Sequence, residues 1–260
     1  MSTRHMLYML AARIYVASDA RSHGFAWKPK PNIISRESSK RPILFLQHGV
    51  TALKRVDRLF GKHGSTPMTY FNVTSEFEQK IVTDHFGYPA EKLKVIGITG
   101  TKGKTTTTYM VKSILEGVGH KVGLIGTIEA LIGDKSIPAN NTTPESFTIH
   151  QYFAEMVKEG CDSVVMEVSS QGLMLHRTAG IPFEIGIFTN LGKDHIGPNE
   201  HKDFEDYKRC KAMLFQQCKL GIANIDDPYY EDIFRGATCK VETFGFSPKA
   251  DLRAENVNLV

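Results

Sequence analysis

The sequence predicts an α/β fold, a mostly parallel sheet flanked by helices with a phosphate loop at its first turn, preceded by a partial Rossmann-like α/β segment. Three observations predict it. From Lys94 onward, apolar runs of strand length alternate with helical stretches. Most of these strands are apolar throughout, as in sheets covered on both faces, and a Gly-rich turn joins the first of them to the first helix.

The elements follow in order. KVIGIT, starting at Lys94, reads as a strand, TTTTYMVKSILEGVG as a helix and KVGLIGT (121–127) as the next strand. A helix is expected over about 145–159, strands at 163–169 and 184–190, a helix over about 203–217, a strand at 220–225 and a last strand near 240–246. Ligands in such a fold belong at the carboxyl ends of the strands. Before Lys94 the pattern is βαβα: a strand at 43–47, a charged helical stretch at 51–60, a strand at 69–75 and a helix at about 75–86. KPKPNIISRESSKR (28–41) reads as a loop, and a domain boundary falls near 88–94.

Composition narrows the class. With 260 residues, 41% hydrophobic and 23% charged, the chain is long enough for one large or two smaller domains, and it is neither disordered nor collagen-like. An excess of 32 basic over 28 acidic residues is too mild to imply nucleic acid. Cys161, Cys210, Cys218 and Cys239 show no CxxC pairing and no zinc spacing, and are read as reduced thiols of a cytoplasmic protein. Neither a signal peptide nor a membrane-length apolar run is expected.

The chemistry concentrates at Gly97-Ile98-Thr99-Gly100-Thr101-Lys102-Gly103-Lys104-Thr105, which follows a strand and opens a helix. Its glycines let backbone N–H groups turn toward an anion, and the helix start adds partial positive charge. Lys104 can reach β and γ phosphates and Thr105 can hold magnesium. The strict pattern wants Gly where Ile98 stands, so the loop is a variant. Gly100, Thr101, Lys102, Gly103, Lys104, Thr105 and Thr106 form the expected ATP site.

GITGTKGKTTTTYM resembles the signature of the Mur ligase and folylpolyglutamate synthetase superfamily. LIGT (124–127), NTTPES (141–146), MEVSSQGL (166–173), HR (176–177), FTNLGKDHIGPNEH (188–201), YKRCKAMLF (207–215) and NIDD (224–227) together are similar to the Mur ligases that add the third residue to UDP-N-acetylmuramoyl-L-alanyl-D-glutamate. This resemblance covers 94–260 and implies a central ATP-binding domain. It implies ATP and Mg2+ as cofactors, with the muramoyl dipeptide and an amino acid, lysine or diaminopimelate, as substrates. ATP would phosphorylate the D-glutamate carboxylate and the incoming amine would attack the acyl phosphate.

The resemblance also implies roles. Glu167 and His195 match metal-binding positions, and Lys211 matches a lysine that is carbamylated to a magnesium ligand. With Thr105 these make the metal set, and Lys104, Glu167 and Lys211 the catalytic set. Thr142, Thr143, Ser169, Gln171 and Arg177 match positions that hold the muramoyl dipeptide, where arginine could grip an anion with two parallel hydrogen bonds. On the residues alone, Thr142-Thr143-Pro144-Glu145 is also a plausible helix start. Asn224 matches the asparagine near the adenine, although a strand followed by Asn and Asp is also a turn signal.

Complete ligases of this family add a uridine-nucleotide domain before this one and a domain after it that selects the amino acid; the expectation is that neither is present here. Residues 1–93 instead are similar to part of the CDP-glycerol glycerophosphotransferases, with His48 at the position of a proposed general base and Lys54 nearby. Two alternatives therefore accompany the ligase reading: an Mg-ATP-binding fragment without turnover, and a glycerophosphotransferase fragment.

Overall fold

The structure is a computed structural model that describes residues 82–194, 196–197 and 200–255. The strands expected at 43–47 and 69–75, the helix at 51–60, the loop at 28–41, His48, Lys54 and His195 lie outside the described residues. Of the helix expected at 75–86, residues 82–86 are described and are helical.

Nine strands form one sheet: β1 (Lys94–Thr99), β2 (Val122–Ile125), β3 (Glu129–Ile132), β4 (Lys135–Pro138), β5 (Ser163–Glu167), β6 (Phe183–Phe188), β7 (Cys218–Asn224), β8 (Lys240–Gly245) and β9 (Leu252–Arg253). Their spatial order is β4-β3-β2-β5-β1-β6-β7-β8-β9. All pairings are parallel except β2–β3 and β3–β4. Besides the helical residues 82–86, the α-helices among the described residues are α1 (Lys104–Gly117), α2 (Ser146–Lys158), α3 (Ser170–Met174), α4 (Phe204–Ala212) and α5 (Tyr230–Phe234).

Alternation along β1 explains the layering. Val95 joins a core with Phe153, Met156, Phe183 and Leu214, whereas Ile96 and Ile98 face a smaller core with Val122, Val165 and the α1 residues Val111 and Leu115. Both faces of the central strands are therefore apolar, which is why β1 reads as a continuous hydrophobic run. Each fully buried aromatic such as Phe153 or Phe183 contributes about 1.5–3 kcal/mol by leaving water.

The order also fixes where a ligand can sit. From β1 the chain crosses by α1 to β2, β5 then inserts between β1 and β2, and β6 lies on the opposite side of β1. The carboxyl ends of β5, β1 and β6 therefore surround a switch point, the crevice where open α/β sheets bind ligands.

Two expectations change. The apolar run at 121–127 ends as a strand at Ile125, and an antiparallel β3–β4 hairpin turning at Gly133 follows; four-residue strands, one of them largely exposed, leave too little periodicity to read. The helix expected to 217 is α-helical only to Ala212 and continues as a 3-10 turn, Met213–Gln216. Among the described residues no helix is long and apolar enough to cross a membrane, and all four cysteines are free thiols.

His150, on the buried face of α2, is 1% exposed, and neither ring nitrogen has a hydrogen-bond partner. Burial lowers its pKa from 6.5 to about 4. The unfolded chain therefore binds this proton more readily than the folded one, so stability falls as pH drops below about 6.5. Between pH 7.5 and pH 5 the loss from this residue should be about 2 kcal/mol. Denaturant titrations of the parent and His150→Leu should show the parent's extra acid sensitivity vanish in the variant.

Candidate active site

The loop after β1 is shaped by backbone that only glycine tolerates well. Gly100 has φ +154°, and a Cβ there would lie 1.9 Å from Thr189 Oγ1; Gly103 has φ +81° and is the N-cap of α1. No side chain caps α1, so the orphan N–H groups of its first turn stay open to an anion. Lys104 bends back and donates to Gly100 O at 2.9 Å and Thr101 O at 3.2 Å. Burial, with the nearby charge of Lys102 adding to it, lowers its pKa, while Glu167 opposes the shift.

Glu167 ends β5 and is 1% exposed. Its carboxylate accepts hydrogen bonds from Thr105 Oγ1 (2.9 and 3.0 Å), Thr127 N (2.8 Å) and Thr127 Oγ1 (3.0 Å). Gly126 allows this approach, since a Cβ there would meet Glu167 Oε1 at 2.6 Å. Lys211, on α4, is equally buried, donates to Gly100 O at 2.8 Å and lies 4.5 Å from the Tyr207 ring centre. Burial, reinforced by the charge of Lys104, drives its pKa well below the ordinary lysine range. Among the described residues neither Glu167 nor Lys211 forms an ion pair. Buried ionisable groups without a direct ion-pair partner mark a candidate binding site.

Next to them lies a cavity of about 300 Å3, reached by Lys104 from the phosphate loop and lined by Thr142, Thr143, Ser169, Gln171 and Arg177. All five residues expected to hold substrate thus share one wall system. Their contacts differ from the simplest expectation. Arg177 spends its fork on Glu145 Oε1 (2.6 Å) and Thr143 O (3.0 Å). Thr143 is not a helix cap: Glu145 is the N-cap of α2, and Thr143 Oγ1 donates to Glu167 O at 3.0 Å while accepting from Ser169 N at 2.9 Å. Thr127 and Thr142 hydroxyls meet at 3.1 Å.

Asn224 does not line that cavity. It donates to Thr189 O at 3.0 Å and accepts from Asp226 N at 3.1 Å, so it is a turn residue that also braces the end of β6. Thr106 is exposed on the first turn of α1. Sequence reasoning missed Thr127, Asn140, Asn141, Glu200 and His201, which line the cavity, and Tyr207, whose hydroxyl lies 3.0 Å from Thr101 Oγ1. Thr127 was legible as the residue after LIG in a strand, but nothing local pairs it with a glutamate 40 residues away.

A covered parallel sheet with a Gly-rich loop at its switch point defines a phosphate-loop α/β domain. A family model described as the Mur ligase middle domain matches residues 98–260, and the chain belongs to the Mur ligase family. UDP-N-acetylmuramoyl-L-alanyl-D-glutamate--2,6-diaminopimelate ligase 1 of Clostridium acetobutylicum is 54% identical over 171 residues, which are 66% of this chain and 35% of that one. The corresponding ligase of Clostridium tetani is 51% identical over 177 residues, 68% and 36% of the two chains. The chain thus spans about a third of the length of these relatives. A solved structure of a UDP-N-acetylmuramoyl-L-alanyl-D-glutamate--2,6-diaminopimelate ligase aligns with TM-score 0.59 and 26% identity over 68% of this chain and 36% of the other.

Gly100→Ala should cost about 1–3 kcal/mol, because the new methyl group collides with Thr189 and the Asn190 backbone. Gly117→Ala, which meets nothing within 4 Å, should cost nothing. Urea midpoints of the two variants check the contrast.

Proposed function

We propose that the chain is the ATP-binding domain of a ligase that joins an amino acid, lysine or diaminopimelate, to UDP-N-acetylmuramoyl-L-alanyl-D-glutamate through an acyl phosphate, in the cytoplasm where ATP is made available. One observation carries this reading: Lys104 of the phosphate loop lines the same cavity as Thr142, Thr143, Ser169, Gln171 and Arg177. A nucleotide on the loop and a carboxylate in the cavity would therefore meet at one lysine.

That meeting is the chemical difficulty. Two unit negative charges 4 Å apart repel by about 4 kcal/mol at the effective dielectric of a protein surface, so cations must be held ready. Lys104 is one, released from the carbonyls of Gly100 and Thr101 when an anion arrives. The uncapped first turn of α1 supplies fixed donors that need no reorganisation during reaction. Gly100 and Gly103 let the backbone approach the polyphosphate, with Thr101, Lys102 and Thr106 flanking it. Asn224 braces the neighbouring segment through Thr189 O, and the family resemblance is what supports a place for it near the adenine.

The residues fit Mg2+, which takes hard oxygen ligands. The Glu167 carboxylate and the Thr105 hydroxyl, already bonded to each other, would hold it, together with His195 and a carbamylated Lys211. Lys211 suits carbamylation because burial favours the neutral amine that CO2 requires. Bound there, Mg2+ would neutralise the γ phosphate and the acyl group during transfer. Thr142, Thr143, Ser169, Gln171 and Arg177 would orient the dipeptide so that its carboxylate faces Lys104, positioning being the main source of rate in phosphoryl transfer.

The test is calorimetric titration with a non-hydrolysable ATP analogue and Mg2+, with and without the muramoyl dipeptide. The parent should bind both ligands. Lys104→Ala should bind the analogue at least about 100-fold more weakly, the loss expected for a charge-assisted contact to a phosphate. Glu167→Gln should lose the Mg2+ dependence while keeping its melting temperature within a few degrees. Unchanged binding by Lys104→Ala would overturn the assignment. If a separate assay with ATP, the muramoyl dipeptide and the amino acid gives no amide despite binding, the chain is an ATP-binding domain that needs further chain for turnover.

A further inference from the structure

The phosphate loop is held from outside as well as by Lys104 from within. β1 and β6 pair in register up to Thr99 and Phe188, and the ladder then runs on past the strand ends, with Thr189 N donating to Thr99 O at 3.0 Å and Thr101 N to Asn190 O at 2.8 Å. Beyond that the Asn190 side chain takes over. Its Oδ1 accepts from Lys102 N at 2.9 Å, and its Nδ2 donates to Lys102 O at 3.0 Å. Thr189 Oγ1 donates to the same Lys102 carbonyl at 2.8 Å. One residue thus grips two successive loop residues through its backbone carbonyl and both ends of its amide.

The amide is chemically suited to this. A primary amide offers a donor and an acceptor side by side, the complement of the N–H and C=O of one residue; a carboxylate lacks the donor and an apolar side chain lacks both. The grip also sorts the donors of the loop. The N–H groups of Thr101 and Lys102 are committed to Asn190, so they are turned away from any ligand. The N–H groups left for an anion are those of the first turn of α1, which no side chain caps.

We propose that Asn190 is a positioning residue of the phosphate loop, holding the Thr101–Lys102 segment so that the first turn of α1 and Lys104 face the polyphosphate, and thereby setting nucleotide affinity without touching the nucleotide. The proposal rests on the nucleotide-binding reading above and deepens it. On the opposite side of the loop, the Thr101 hydroxyl is held by Gly192 N (2.9 Å) and by Tyr207 Oη, so loss of Asn190 frees the loop at Lys102 rather than along its whole length.

Two measurements on the same chain test it. The first is titration of the parent, Asn190→Leu and Thr189→Val with the non-hydrolysable ATP analogue and Mg2+. Asn190→Leu, close in shape but without polar groups, should raise Kd about 10- to 30-fold; Thr189→Val, which removes one of two bonds to a carbonyl that Asn190 still holds, should raise it only about 2- to 5-fold. The second is amide hydrogen exchange without nucleotide, in which the Lys102 N–H should exchange about 10-fold faster in Asn190→Leu while the β1 amides keep the parent's rate.

Analogue affinity within twofold of the parent in Asn190→Leu would overturn the proposal, as would unchanged exchange at Lys102. A faster exchange of the whole sheet plays no part in either outcome, because the β1 amides report it separately. If the parent itself binds no analogue, the nucleotide-binding reading falls, while the exchange comparison still decides whether Asn190 holds the loop.

Discussion

The carbonyl oxygen of Gly100 accepts hydrogen bonds from two lysines, Lys104 at 2.9 Å and Lys211 at 2.8 Å. Much of the site depends on this arrangement. Two ammonium groups on one carbonyl repel each other, and the cost is high where Lys211 is 1% exposed. Such a pair is tolerable when Lys211 is neutral or modified, or when an anion arrives to share the charge. The acids that act on the pair are Asp194, on both lysines, and Glu167, on Lys104, and the Glu167 carboxylate is also wrapped by the hydroxyls of Thr105 and Thr127.

The sheet makes that arrangement possible. Glu167 ends β5, Gly100 follows β1, and Thr189 and Asn190 follow β6. Because these three strands are neighbours at the switch point, their ends bring a carboxylate, a phosphate loop and a clamp within hydrogen-bonding reach of one another. Lys211 arrives from a fourth direction, on α4, where it lies over the Tyr207 ring and where the Tyr207 hydroxyl ties the helix to Thr101. Each group is carried by a different element, so the geometry is as rigid as the core beneath it.

The cavity beside the loop adds a second polar layer. Thr143 is shared between the β5 carbonyl of Glu167 and the backbone N–H of Ser169, and Arg177 holds the Thr143 carbonyl. These bonds couple the cavity wall to the end of the strand that carries Glu167. Glu145, paired with Arg177 at 2.6 Å, is half-buried; burial raises its pKa and outweighs the opposing pull of Arg177.

Much of the architecture was legible from residues alone. The alternation of β1, α1, β2, α2, β5, β6, α4, β7 and β8 is a matter of local periodicity, and the loop was legible because glycine, lysine and threonine between a strand and a helix leave few other uses. The resemblance to Mur ligases pointed in advance to Thr142, Thr143, Ser169, Gln171 and Arg177 of the cavity wall, but not to Thr127, Asn140, Asn141, Glu200 or His201. What local sequence could not reveal are the pairings across long separations. Thr101 meets Tyr207 across 106 residues, Thr127 meets Glu167 across 40, and Lys102 is gripped by Asn190 across 88. Thr143, in a segment that reads as a helix start, became a bridge to β5 because the folded sheet offered its hydroxyl a buried partner. Chain periodicity fixes which residues lie on which face of an element; only the order and register of strands in the closed sheet decide which faces meet, because that choice is made by the whole core at once.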